Sequence, residues 1–419
     1  MNAHSLFDYP NNLQIIFDKL AKNGINSILI GGYVRDKFLN LDSKDIDIEL
    51  YGVHSFNQLE NILEEFGEVN SVGKSFGVCK LTLENLDLDF TLPRSDNKVA
   101  SGHCGFEVTI DKDLDFITAT SRRDFTINAI GFDVLNKKIL DPYNGQEDIK
   151  NKILRAVNID TFSEDPLRVL RAVGFATRFN FTLEPKLFTL CKKMCDSNTL
   201  KELPQERIYT EIQKILLKSK KPSLAFLLLK ELNGLQYFYP LDTLSNNSFN
   251  EILDSLNTFV NYKTLSNKIN ILIMLSLMSS KFKTEDTILF ITKLTNNKSI
   301  LKEILTLLVN DFKIFYTDSE LLRLSCQVSI EYFLLFSQAK NKNINGDIFK
   351  TLKHRAKELG VLYTKAKPFL QGRDIIALGF EPSKKFSTIL ELAYEAQINL
   401  EINSHIEAKK WLQVYFKSQ

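Results

Sequence analysis

Asp45 and Asp47 alternate with Ile46, Ile48 and Leu50 in one short run. Period-two spacing on a strand points both carboxylates to the same face. Two carboxylates side by side repel unless a cation lies between them, so the pair predicts a Mg²⁺ site. The bland reading of the same spacing is the solvent-facing side of an edge strand. Upstream, the apolar run Ser27 to Ile30 ends at Gly31-Gly32, and a helical pattern follows at once through Arg35 and Asp36. That turn lets backbone N–H groups and a helix N-terminus approach a phosphate, with Arg35 about one turn inside to clamp it. A tight corner is the commoner reason for paired glycines. A third carboxylate would complete a two-metal arrangement, in which one ion activates a hydroxyl and the other steadies a leaving phosphate. Asp89, in Leu86-Asp87-Leu88-Asp89-Phe90, is the candidate, and Asp87 on the same face stays open.

Arginine, the side chain for bidentate phosphate and base contacts, is concentrated in the first half. Eight arginines lie before residue 180 and only four follow. Arg122-Arg123 precedes a run from Phe125 to Ile130 that reads as a strand, and the pair can reach the same cleft as the aspartates. A helix opens at Asp165-Pro166, with Pro166 in its first turn. The spacing Asp165, Arg168, Arg171 sets one carboxylate and two guanidiniums along one face. An i, i+3 surface salt bridge is the plain alternative, worth under about 0.5 kcal/mol. Lys218, Lys220 and Lys221 form a small basic cluster of the kind that usually caps a solvated loop.

These residues need an α+β scaffold. Before residue 150 the chain has short β-branched or alternating runs at Ser27–Ile30, Ile46–Tyr51, Val78–Leu83, Leu86–Leu92, Phe106–Ile110 and Ile127–Val134. With helical patterns at Asn12–Asn23 and His54–Phe66, they predict a mixed sheet carrying helices. Asp141-Pro142-Tyr143-Asn144-Gly145 is a turn signal and a candidate hinge. Beyond it the pattern is helical. Pro204 opens a helix with Ile208, Ile212, Leu216 and Leu217, and from Leu235 to Asn345 there is no glycine and one proline, Pro240. A last helical unit starts at Gly372.

The 419 residues exceed one compact core and predict two to four structural units, at ordinary hydrophobicity and a net charge of +2. So small a charge leaves an anionic partner to a local basic patch. The apolar runs are far shorter than the roughly 20 residues of a membrane span. No signal peptide is visible from Met1 to Asp8, so a cytoplasmic location is expected. Five scattered cysteines and five histidines without i, i+4 pairing make no zinc site and no phosphohydrolase signature, and there is no Walker loop or serine elbow.

Taken together, these motifs resemble the class II tRNA nucleotidyltransferases, the CCA-adding enzymes, which share their catalytic head with bacterial poly(A) polymerases. The resemblance runs in order through Gly31–Asp36, Asp45–Asp47, Arg122–Ala129, Asp141–Gly145, Glu164–Arg171 and Leu203–Arg207, with a tail echo from Gly372 to Gln397. It implies a nucleotidyltransferase-fold head over 1–145, a helical neck over 146–220 that recognises the base, and a helical body and tail over 221–419 that bind tRNA. It implies Mg²⁺-dependent, template-independent transfer of CMP and AMP from CTP and ATP to the tRNA 3′ end, with no membrane or protein partner evident. Asp45, Asp47 and Asp89 would be catalytic, with Asp45 and Asp47 holding the metal. Gly31, Gly32, Arg35 and Arg123 would meet the nucleotide, and Asp124 its sugar end. Asp165 would accept from the exocyclic amine of cytosine or adenine, Arg168 would donate to the ring, and Arg171 would face the triphosphate. Gly174 departs from the family, many of whose members have arginine there. The run Ser95 to Gly102 resembles the flexible loop used for the final A. A poly(A) polymerase, a CC- or A-adding specialist and a catalytically silent RNA-binding homologue are the alternatives. A poly(A) polymerase typically carries a long basic extension, which is not seen after Phe416.

Overall fold

The computed structural model describes Phe7, Tyr9 and residues 11–70, 77–83, 86–98, 106–111 and 114–417. The chain forms two compact units, residues 1–219 with 224–237, and residues 220–223 with 238–419.

The first unit is built on a seven-stranded mixed sheet of order β3-β4-β5-β2-β1-β8-β9. Its strands are β1 (Asn26–Ile30), β2 (Asp45–Tyr51), β3 (Val69–Asn70), β4 (Val78–Leu83), β5 (Leu86–Thr91), β8 (Gly131–Asp133) and β9 (Lys138–Leu140). Two short ribbons stand apart, β6 (Arg94–Lys98) with β7 (Phe106–Ile110), and β10 (Ile153–Leu154) with β11 (Thr182–Leu183). β2 and β5 run parallel and every other pair in the large sheet is antiparallel. Alternation sorts β2 cleanly. Ile46, Ile48 and Leu50 enter the core with Leu88 and Phe90, against α1 (Asn11–Lys22) and α3 (Phe56–Leu63). Each such side chain contributes about 1.5–3 kcal/mol when fully buried. The residues between them are therefore held on the opposite face, in register.

Further helices are α2 (Gly32–Phe38), α4 (Phe116–Ser121), α5 (Gly145–Asn151), α6 (Ile159–Phe162), α7 (Leu167–Phe179), α8 (Pro185–Asp196) and α9 (Gln205–Lys218), with α10 (Ser223–Glu231) beyond. α7 buries Leu170, Val173, Ala176 and Thr177, packs along α9 and ends at Asn180 in the left-handed region.

Three expectations change. The run Phe125–Ile130 is not a strand: it holds a 3₁₀ turn, Thr126–Asn128, and β8 begins only at Gly131. Asp124 and Asn128 impose this by bonding locally, Asp124 Oδ1 accepting from both Phe125 N–H and Asn128 Nδ2 at 2.9 Å. Asp141–Gly145 is a cap rather than a hinge. Asp141 accepts from the N–H groups of Gly145 and Gln146 at 2.7 and 3.0 Å. A Cβ on Gly145 would lie 2.4 Å from the Thr126 carbonyl, so the glycine lets α5 close on that turn. The polar run Ser95 to Gly102 begins as strand β6, and its part from 99 to 102 lies outside the described residues.

The second unit is helical: α11 (Asn246–Phe259), α12 (Asn267–Met278), α13 (Thr284–Leu294), α14 (Lys298–Val309), α15 (Asp318–Ser325), α16 (Ile330–Lys340), α17 (Gly346–Glu358), α18 (Gly372–Ile376), α19 (Lys385–Ile398) and α20 (His405–Lys417). α12 is buried from Asn270 to Met278 without a break, and α11, α14 and α16 surround it. The last three helices share a separate core around Ile375, Ile389, Ile402 and Leu412. Among the described residues no helix is long and apolar enough to cross a membrane. Cys79, Cys191 and Cys195 are buried free thiols, and burial pushes Cys191 and Cys195 up to about 12; Cys104 lies outside the described residues.

Candidate active site

Parallel pairing of β2 with β5 sets Asp45 opposite Asp87 and Asp47 opposite Asp89. Four carboxylates thus form a two-by-two array on the face that the core leaves free. They line a cleft of about 660 Å³. Burial raises the Asp47 carboxyl above its ordinary value, Asp89 and Asp45 push the same way, and Arg123 opposes them. Asp89 is turned to Lys80, whose Nζ donates to both its oxygens at 2.6 and 2.8 Å. Among the described residues no three acidic, histidine or cysteine side chains converge tightly enough to hold a metal alone. Mg²⁺ does not require three, since it usually keeps several waters and takes one or two carboxylates plus substrate phosphates. The oxygen-only pair Asp45 and Asp47, open to the cleft, fits that habit.

Gly31 sits at φ 74°, in the left-handed region that favours glycine. A Cβ there would lie 2.9 Å from Arg123 Nη1 and 3.0 Å from Asp47 Oδ2. The glycine therefore admits a guanidinium and a carboxylate against the backbone together. Arg123 faces the opposite charges of Glu49, Asp47 and Asp124, while its Nε has no hydrogen-bond partner among the described residues. Glu49, the third member of the alternating series, is fully buried, accepts from Tyr51 Oη at 2.6 Å and lies 3.7 Å from Arg122 Nη2.

Arg35 is buried and already engaged. Its Nε and Nη2 donate to Asp36, its Nη1 donates to Asn128 at 2.6 Å, and its guanidinium lies 5.2 and 4.8 Å from the Phe175 and Phe179 ring centroids. Only two of its five N–H groups remain, so it secures α7 to the sheet more than it clamps a phosphate. Asp124 likewise is not open to a sugar. Arg171 Nε reaches it at 2.7 Å and Nη2 at 2.5 Å. Arg171 also faces Glu211, 3.8 Å away, so it is held from both sides instead of facing a triphosphate freely.

Asp165 and Arg168 do not pair with each other. Arg207 of α9 donates to Asp165 at 3.0 and 3.4 Å, and Leu167 N–H at 3.1 Å. Arg168 donates to two backbone carbonyls, Thr161 and Arg122, both at 3.0 Å. The surface salt bridge expected from i, i+3 spacing is thus not made. One acceptor site on Asp165 and three N–H groups on Arg168 remain, which is the complement an amine next to a ring nitrogen requires.

Sequence reasoning missed four residues here. Arg207 stood only at the end of the Leu203–Arg207 motif with no role assigned, Asn128 inside a presumed strand, and Arg178 and Lys218 as general basic character. Arg178 and Lys218 line the carboxylate cleft.

Residues 27–155 match the model of the poly A polymerase head domain, and residues 180–241 that of the probable RNA and SrmB-binding site of polymerase A. The CCA-adding enzyme of Francisella tularensis is 36% identical over 231 residues, which cover 53% of this chain and 61% of that protein. The multifunctional CCA protein of Chromobacterium violaceum is 37% identical over 218 residues, covering 51% of this chain and 49% of that one. The match thus spans about half to three-fifths of the length of these relatives. Over nearly the whole chain the fold is that of the Bacillus stearothermophilus CCA-adding enzyme solved in complex with CTP, with TM-score 0.76, 21% identity and coverage of 97% of this chain and 98% of that one. A CCA-adding enzyme solved with ATP has the same fold at TM-score 0.67 and 18% identity, covering 98% of this chain and 97% of that chain. Two domain models match parts of the first half of the chain, curated CCA-adding proteins match about half of it, and over nearly its whole length the fold is that of CCA-adding enzymes: these are the proteins this chain is similar to.

Proposed function

We propose that this chain adds CMP and AMP from CTP and ATP to the 3′ end of tRNA without a template, releasing pyrophosphate. The observation that carries the reading is the in-register pairing of Asp45 and Asp47 with Asp87 and Asp89 on the cleft face of the sheet. Asp45 and Asp47 would hold Mg²⁺, which would supply Lewis-acid stabilisation of phosphoryl charge during in-line displacement. Asp89, opposite Asp47, is the third carboxylate, and Lys80 neutralises it in the free protein. Arg123, against Gly31, meets the nucleotide phosphates. The RNA 3′-hydroxyl oxygen attacks the α-phosphorus as its proton passes to water in the cleft, the new P–O bond forms, and the bond to the bridging oxygen breaks with its electron pair leaving on pyrophosphate. No protein nucleophile is needed. Asp165 and Arg168 select the base, and both cytosine and adenine carry the amine that Asp165 accepts.

In this reading the head (1–145) catalyses, the neck (146–220) reads the base, and the body and tail (221–419) bind tRNA by shape and backbone. tRNA and nucleoside triphosphates are cytoplasmic reagents, so the chain would act there. Incubation with tRNA lacking its 3′ end and labelled CTP and ATP, followed by product sequencing, tests the reading. Addition of C, C and A and then arrest is expected. Long A tails on arbitrary RNA would make it a poly(A) polymerase, and no Mg²⁺-dependent incorporation would make it a silent binding module.

A further inference from the structure

Lys80 stands directly opposite Asp89 where β4 pairs antiparallel with β5, and Thr82 stands opposite Asp87. β5 in turn carries Asp87 and Asp89 beside Asp45 and Asp47. Residues paired in this way share a face and keep their Cβ atoms about 4.5–5.5 Å apart. Sheet register therefore builds the lysine into the carboxylate array. Its Nζ donates to Oδ1 and Oδ2 of Asp89 at 2.8 and 2.6 Å, and its charge also favours the ionised form of Asp47. Both oxygens of Asp89 lie on the ammonium, and among the described residues no three carboxylates converge on one ion. The two side chains are 58% and 30% exposed, so the pair is weak and open to exchange. A divalent ion brings twice the charge of the ammonium that it would displace.

We propose that Lys80 is a positioning residue that sets how many divalent ions the array takes. With Asp89 held on the ammonium, Asp45 and Asp47 take one ion, and a second enters by drawing Asp89 off Lys80. The proposal rests on the transferase reading, in which Asp45 and Asp47 hold the metal. An ammonium offsets charge without imposing the near-octahedral oxygen geometry that Mg²⁺ demands. Lys80 thus lets four carboxylates share one face without a second resident ion, and it leaves Asp89 within reach of one.

Mn²⁺ is the probe, counted by its electron paramagnetic resonance signal in titrations of the full chain without nucleotide or RNA. The wild-type chain is expected to bind one ion well and a second more weakly. Lys80→Gln should bind the second ion about tenfold more tightly, the size of one screened charge interaction at a few ångströms. Lys80→Arg should keep the second ion weak, and Thr82→Ala, on the same strand face, should leave both ions as they are. Adding Asp89→Asn to Lys80→Gln should abolish the gain. Unchanged affinity for the second ion in Lys80→Gln overturns the proposal. A gain that survives Asp89→Asn overturns it too, because the lysine would not then act through Asp89. No bound Mn²⁺ in either chain removes the metal pair and the proposal with it. A chain whose Lys80→Gln variant gains the second ion but which adds nothing to tRNA sinks the transferase reading only. One that adds C, C and A while Lys80→Gln gains no ion sinks the role of Lys80 only.

Discussion

The two units solve burial differently. In the unit with the carboxylate cleft, Arg35, Asp36, Glu49, Asp124, Asp133, Asp148 and Glu211 are all buried. In the helical unit the buried polar side chains are serines, Thr287, Asn270 and Gln397, and among the described residues Asp374 is the one buried charge. Taking an ion from water costs several kcal/mol unless geometry and hydrogen bonds offset it. Charge is therefore buried where side chains must be held at fixed angles, and the helical unit gains its order from apolar volume instead. Core positions of the second kind tolerate apolar side chains of similar size. Positions of the first kind accept very few.

That contrast can be broken most decisively at Asp45. Loss of its exposed carboxylate should cut incorporation of every nucleotide by at least about a thousandfold, as expected when several kcal/mol of metal-borne charge stabilisation disappear. The metal-free melting temperature of Asp45→Ala should stay or rise, because repulsion within the array is relieved. Near-normal turnover in that variant would refute the metal assignment.

Asp124→Asn should behave in the opposite way, destabilising the first unit by roughly 3–5 kcal/mol as a buried pair is broken. Burial alone would raise the Asp124 carboxyl, but Arg171, Asn128 and the Phe125 N–H overcome it and hold it below the usual range. A depressed folded pKa stabilises above the unfolded value, near 3.9, and that stability is lost as pH falls through the folded value. Urea unfolding from neutral pH downward should show the gap between wild type and variant closing below about pH 4. A constant gap would mean that the charge is not what matters.

Asp165→Ala sharpens the comparison within the first unit. Preference for CTP and ATP over UTP and GTP should narrow by about ten- to a hundredfold, the range of one good bidentate base contact. Unchanged selectivity in a four-nucleotide competition would leave Asp165 only its bonds to Arg207 and the Leu167 N–H. The smallest effect is expected in the second unit. Thr317 and Glu320 form a reciprocal cap on α15, so Thr317→Ala should lower stability by about 1 kcal/mol, with nucleotide choice untouched.

Strand alternation made most of the large sheet legible, because a core on one side of β2 leaves little freedom of register. The turn at Thr126–Asn128 was not legible, since an apolar run looks like a strand until Asp124 and Asn128 are seen to bond one another. Residue type located the arginines but misjudged some of their partners. The fork that fits a phosphate fits a carboxylate equally well, and only the fold shows that Arg35 and Arg171 have carboxylates beside them. Arg207 escaped notice because its partner is 42 residues away. In the helical unit the absence of glycine announced helices, but amphipathic periodicity carries no record of what those helices bind.

Arg168 donates its hydrogen bonds to two peptide carbonyls, with its guanidinium 5.9 Å from the Phe162 ring centroid. Main-chain oxygens neither titrate in the physiological range nor change identity when a neighbouring codon does. The angle at which this guanidinium is held should therefore be indifferent to pH and tolerant of drift at positions 122 and 161. Side chains at those two positions should be free to vary without turning this guanidinium, whereas a shift of the backbone beneath it would turn it.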